Sequence, residues 1–199
     1  YAHVSPALAP VQSGFRRGDS TTMQLTRLVQ DIVALRHDHQ HVGMCFFDLA
    51  KAFDTVWFRG LLAKLSAMYN VSGASLAWIT DYLTDRTQSV SVEGVLSDPL
   101  PVKSGVPQGS ILGPLLFLLY INDLPDCIDG LSLFADDTAL IQFDADIANL
   151  CTKLQNGINV VHKWMLSWRL KPNILKTEIV FLPQLDHPPT FTLPGLDSA

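Results

Sequence analysis

The chain has 199 residues, the length of one ordinary domain. With 48% apolar and only 17% charged residues it can bury a sizeable core, which excludes a disordered segment. A net charge of -5, with no run of Lys or Arg, excludes a freestanding phosphate binder of the usual basic kind. Any nucleic acid it meets would need basic surface from elsewhere.

The chain opens on Tyr1 without a signal peptide, so a piece of a longer protein is expected. Cys45, Cys127 and Cys151 are widely spaced, with neither a zinc pattern nor a disulfide framework. An intracellular, reducing setting is expected. Residues 1–13 have no clear period. From Thr21 to Arg36, Leu25, Leu28, Val29, Ile32 and Leu35 recur at helical spacing, with Ser20 or Thr21 as cap. Residues 42–49 read as a buried strand ending on Asp48. Helices are expected over Arg59–Tyr69 and Ala74–Leu83, then a hairpin from 87–93 to 99–103 broken at Gly94. GVPQG at 105–109 is a turn by composition, and Ser110 can cap the apolar helix that follows to Asn122. The apolar run from Ile111 to Ile121 falls short of the ~20 residues a membrane span needs, so no membrane partner is expected.

Residues 131–135 and 138–143 read as two strands joined by an acidic turn at Asp136–Asp137. A long helix follows from Ile147 to Trp168, with Leu150, Leu154, Ile158, Val161, Met165 and Trp168 on one face. Glu178–Leu182 reads as a short strand, and the proline-rich end as loop or linker. The order gives an α+β domain around a small antiparallel sheet, with helices packed on one face and the other free for a substrate.

An isolated Asp–Asp pair is most often two solvated loop residues. Asp48 changes that balance, because it too ends a strongly apolar strand. Carboxylates on neighbouring strand ends repel each other unless a cation joins them. Mg²⁺ takes such oxygens. Two ions about 3.5–4 Å apart can activate a hydroxyl and stabilise a leaving pyrophosphate.

Five segments then occur in order: QSGFRRGDSTTMQL (12–25), FFDLAKAFDTV (46–56), SGVPQGSILGPLLFLLYINDLP (104–125), LFADDTAL (133–140) and WRLKPNILKTEIVFL (168–182). Together they resemble the palm motifs of reverse transcriptases of non-LTR, LINE-like (jockey-type) retrotransposons. The resemblance implies a partial reverse transcriptase domain over 12–182, the end of the fingers plus the palm of a right-hand polymerase, with 1–11 and 183–199 as loop or linker. It implies RNA-directed DNA synthesis by two-metal nucleotidyl transfer, with two Mg²⁺ ions for which Mn²⁺ can substitute. Asp48, Asp136 and Asp137 are the implied metal ligands. Phe53 matches the steric gate against ribonucleotides; without the motif it is a plain core residue. Gln108 and Gly109 match residues lining the incoming nucleotide, and Arg16 a template or nucleotide contact. Lys176 either serves as general acid near the phosphates or is a surface lysine. Asp54 has no comparable role and reads as a turn or cap residue.

Partners implied are an RNA template, a DNA primer and deoxynucleoside triphosphates, together with the fingers and thumb of a parent protein. Nuclear action during integration follows for that parent. A piece without fingers and thumb is expected to have little activity alone. The competing expectations are a non-catalytic retroelement remnant, or another palm polymerase such as a telomerase. His37, His39 and His41 alternate but carry no motif role and read as loop residues.

Overall fold

The computed structural model describes residues 7–38 and 40–192. In chain order the elements are α1 (Thr21–His37), β1 (His41–Phe47), α2 (Ala52–Thr55), α3 (Phe58–Tyr69), α4 (Gly73–Leu83), β2 (Thr87–Gln88), β3 (Ser91–Val92), β4 (Val95–Leu96), β5 (Leu100–Pro101), α5 (Leu112–Ile121), β6 (Leu131–Phe134), β7 (Asp137–Asp144), α6 (Ile147–Ser167) and β8 (Glu178–Leu182). They fall into two units, Tyr1–Ala50 with Ile121–Ala199, and Lys51–Tyr120.

The first unit is built on an antiparallel sheet in the order β6-β7-β1-β8. β1 is a central strand, and Val42, Met44, Cys45 and Phe47 are all buried. A Cβ on Gly43 would lie 3.1 Å from Leu154 and 3.4 Å from Leu150, so α6 passes close over that side of the sheet. Asp146 caps α6 by accepting from the Asn149 N–H. Leu150, Leu154, Ile158, Val161 and Met165, spaced by three and four, all turn inward and are essentially inaccessible. Replacing Leu154 by alanine is therefore expected to cost about 2–5 kcal/mol. Urea denaturation followed by Trp164 fluorescence measures this, and a loss under ~1 kcal/mol would contradict the packing described.

The other side of the sheet is not free. Side chains alternate along a strand, so Phe46 points away from α6. There it shares a cavity of about 300 Å³ with Leu25 and Leu28 of α1 and Phe134 of β6. Helices thus flank the sheet on both faces, which corrects the expectation of one covered face. Ser20 caps α1 as expected, accepting from the Met23 N–H. Yet no α1 residue is fully buried, and Leu25, Val29 and Val33 are 54–61% exposed.

In the second unit, α5 is apolar all round, and Leu116 to Tyr120 are buried. Ser110 caps it through the Gly113 N–H. Its last carbonyls lack intrahelical donors and take them from α3: Lys64 Nζ donates to the Tyr120 carbonyl at 2.6 Å, and the Tyr69 hydroxyl to that of Leu119 at 3.2 Å. That explains how a lysine comes to be only 3% exposed. The expected single hairpin is two short ladders, β2 with β5 and β3 with β4. The inner one turns at Glu93–Gly94, both at positive φ. α2 was not visible in the sequence pattern.

Candidate active site

Three aspartates, Asp48, Asp136 and Asp137, lie at one end of the first unit's sheet. β1 and β7 run antiparallel with Phe47 opposite Thr138. One step further along each strand, the same register brings Asp48 towards Asp137. Phe134 pairs with Asp137, so Ala135 and Asp136 form a two-residue turn, with Ala135 at φ 55°. Asp48 and Asp136 are half-buried and Asp137 is exposed at the head of β7.

The electrostatics register this grouping. The Asp137 carboxyl is held above the usual carboxylate range, first by partial desolvation, then by the charges of Asp136 and Asp48. Asp136 and Asp48 are thus close enough for their charges to act on Asp137. Among the described residues, however, no group of three His, Cys, Asp or Glu side chains closes around a common point as a metal shell would. The donor set fits a hard divalent cation: ionised oxygens, like-charged and held on neighbouring strand ends. The backbone supplies the grouping, and the side-chain directions fall short of a finished shell.

Asp48 is fixed from behind by the segment after α6. Its carbonyl accepts from the Asn173 N–H at 2.7 Å, and the Ala50 N–H donates to the Lys171 carbonyl at 2.9 Å. Leu49 and Pro172 make an antiparallel bridge between them. Lys176 ends the 3-10 turn Ile174–Lys176 and is exposed.

The second unit holds Phe53, Gln108 and Gly109. The Phe53 ring stacks on Phe117 with centroids 4.4 Å apart. Its carbonyl accepts from the Val106 N–H at 2.8 Å. Gly105, at φ +93°, lies against the Asp54 backbone, where an added Cβ would meet atoms at 2.7 Å. Gln108 Nε2 donates to Asp54 Oδ1 at 2.7 Å, and the Ser104 hydroxyl to the Asp54 carbonyl at 2.8 Å. Asp54 thus braces the PQG loop, as a turn residue should. Gly109 has φ +75° and open space around it. A groove of about 840 Å³ runs beside Gln108, lined by Lys51, Arg86 and Lys103 among others. Arg86 is committed to backbone, donating to the Leu83 and Gly105 carbonyls. Lys51 and Lys103, both exposed, are cations the sequence reading passed over.

Arg16 is half-buried, with Nη1 donating to the Ala9 and Gln12 carbonyls at 3.0 and 3.1 Å. Those bonds give it a scaffold role that the motif alone did not suggest. Gln12 was likewise passed over. It is a 2% exposed polar side chain, and its partner lies 123 residues away. His37 closes α1 and His41 opens β1, rather than both lying in a loop; His39 lies outside the described residues.

The sequence profile for reverse transcriptase (RNA-dependent DNA polymerase) matches residues 2–196. The chain is 34% identical over 177 residues to the probable RNA-directed DNA polymerase from transposon BS of Drosophila melanogaster, covering 83% of this chain and 19% of that protein. It is 32% identical to the RNA-directed DNA polymerase from mobile element jockey of the same organism, covering 87% of this chain and 20% of that protein. It therefore spans about a fifth of the length of these relatives. Among solved structures, a telomerase from Candida albicans in complex with a TWJ fragment of telomeric RNA superposes with a TM-score of 0.62 over 85% of this chain and 32% of that one. At 16% identity that likeness concerns the fold. Apo telomerase from Candida tropicalis gives 0.62 over 90% of this chain and 35% of that one, at 13% identity. The chain belongs to the reverse transcriptase (RNA-dependent DNA polymerase) family and is related to the enzymes of jockey-, BS- and X-element-type mobile elements.

Proposed function

We propose that this chain is the catalytic palm portion of an RNA-directed DNA polymerase that adds deoxynucleotides to a primer 3'-hydroxyl. The observation carrying this reading is the grouping of Asp48, Asp136 and Asp137 at one sheet end, felt in the raised Asp137 carboxyl. Asp48 and Asp136 would hold the metals and Asp137 would supply a further oxygen. When bound, a pair of divalent ions lowers the pKa of the primer hydroxyl and neutralises the leaving pyrophosphate. In the reaction the primer 3'-hydroxyl gives up its proton to solvent, and its oxygen bonds to the α-phosphorus as the bond from that phosphorus to the β-phosphate oxygen breaks. Lys176 gives a proton to the departing pyrophosphate. Phe53 screens the sugar 2'-position, and Gln108 and Gly109 border the nucleotide. Lys51 and Lys103 attract phosphates to the PQG loop. The template, primer and dNTPs are the substrates, as the relatives' names support. Action in the nucleus belongs to the longer protein.

A non-catalytic remnant is the second reading. It is favoured by the described side chains not closing a three-ligand shell. Primer extension on an RNA template, with Mg²⁺ or Mn²⁺, separates the two. A longer polymerase carrying this segment should extend the primer with dNTPs, and this chain alone only weakly. No extension by either, with no divalent-ion binding to this chain, would leave the remnant.

A further inference from the structure

We propose that Gln12 is a positioning residue for the metal site, its side-chain amide holding Ala135 in the left-handed conformation that directs Asp136. The proposal rests on the reading of Asp136 as a metal ligand.

The turn Ala135–Asp136 is one its own sequence does not favour. A two-residue hairpin loop that needs positive φ at its first position takes Gly, Asn or Asp there. This one has Ala135 at φ 55°, which an L side chain adopts at a cost. Something outside the hairpin has to hold it. Gln12 Oε1 accepts from the Ala135 N–H at 2.9 Å and from the Gly14 N–H at 2.7 Å. Gln12 Nε2 reaches the Ala135 carbonyl at 3.5 Å. One side-chain amide thus addresses both polar groups of the strained residue, inside a site where water does not replace it: Gln12 is 2% and Ala135 5% exposed.

The clamp is itself held. The Ser13 N–H donates to the Leu133 carbonyl and the Leu133 N–H to the Val11 carbonyl, both at 2.9 Å. These tie residues 11–13 alongside β6 as an added parallel segment. Arg16 fixes the Gln12 carbonyl from the other side. Gly14 completes the fit, because an added Cβ would stand 2.2 Å from the Ala135 nitrogen. The turn is gripped by side-chain hydrogen bonds and by the absence of a side chain. The residue that follows is Asp136, so a change in the Ala135 dihedrals swings that carboxylate directly. Outer residues that orient metal ligands in this manner are worth about 10–100-fold in metal affinity.

The test uses the 199-residue chain and the variants Gln12→Ala, Gln12→Glu, Gly14→Ala and Asp136→Asn. Three quantities are read: amide hydrogen exchange at Ala135 by NMR, Mn²⁺ affinity by electron paramagnetic resonance, and melting temperature as the control for folding. Gln12→Ala should speed exchange at Ala135 and weaken Mn²⁺ binding about 10-fold or more. Gln12→Glu, whose neutral carboxyl has the same shape and keeps the acceptor oxygen, should recover most of that affinity. Gly14→Ala should weaken Mn²⁺ binding with Gln12 intact, and this variant carries the test if Gln12→Ala does not fold. A folded Gln12→Ala with wild-type exchange at Ala135 overturns the clamp. So does a Gln12→Glu variant as impaired as Gln12→Ala. A wild-type Mn²⁺ affinity indifferent to Asp136→Asn instead removes the metal-site reading on which the proposal stands.

Discussion

Asp136→Asn, in the polymerase carrying this segment, is expected to cut nucleotide addition by about 10²–10³-fold or more while leaving the fold intact or slightly more stable. The rate estimate follows from the several kcal/mol that metal ions contribute to phosphoryl-transfer transition states, at about tenfold per 1.4 kcal/mol. The stability side follows from the local charges. Asp137 sits above its unfolded-state pKa, and Asp136 is one cause. A carboxyl raised in this manner binds more protons folded than unfolded. Stability is therefore greatest at low pH and declines as pH rises from the unfolded value through the folded one. Removing the Asp136 charge lowers the Asp137 pKa and flattens that decline. Asp48→Asn should act in the same direction on both counts, with a smaller effect on Asp137 because its charge is the lesser cause. Single-turnover extension gives the rate, and thermal melts at several pH values between about 4 and 7 give the slope. A variant that loses activity and stability together would mean that Asp136 holds the hairpin rather than the chemistry.

Most of the first unit was legible because its signals are local. The α6 stripe from Leu150 to Trp168 repeats at helical spacing; the five residues through Met165 are buried, and Trp168, at the C-cap, is half-buried. The caps Ser20 and Ser110 are likewise read from neighbours in sequence, and each sits where its local chemistry directs; the turn expected at Asp136–Asp137 falls one residue earlier, at Ala135–Asp136, because Asp137 pairs with Phe134 as the first residue of β7. The failures share another cause. The α1 stripe marks a face correctly, but periodicity does not say what covers it, and Leu25 and Val29 remain largely exposed. Gln12 looks like an ordinary polar loop residue until β6 arrives from more than a hundred residues downstream. The Gln108 amide donates to Asp54, a partner 54 residues away that local pattern does not show. The metal site lies between these cases. Spacing proposed three strand-end carboxylates, and the β1–β7 register supplied the adjacency that spacing lacks.

Phe53→Val should raise the use of ribonucleotides relative to deoxynucleotides by roughly 10–200-fold, the range a pocket gains or loses when a small group is admitted or excluded. A steric gate must be rigid, since a ring that swings aside excludes nothing. Phe53 meets that requirement. Its ring is stacked at 4.4 Å on Phe117, which is fully buried in α5. Its backbone carbonyl is bonded to the Val106 N–H at the foot of the PQG loop. Valine shortens the side chain and gives up that ring contact, worth about 0.5–1.5 kcal/mol beyond its buried area. The variant should therefore melt somewhat lower than the parent. The diagnostic quantity is the ratio of kcat/KM for the two nucleotide classes, in which a general loss of folded enzyme cancels. The gain should appear chiefly as a lower KM for the ribonucleotide, with deoxynucleotide turnover little changed. A lower melting temperature with an unaltered ratio would make Phe53 a core residue whose ring supports Phe117 and nothing more.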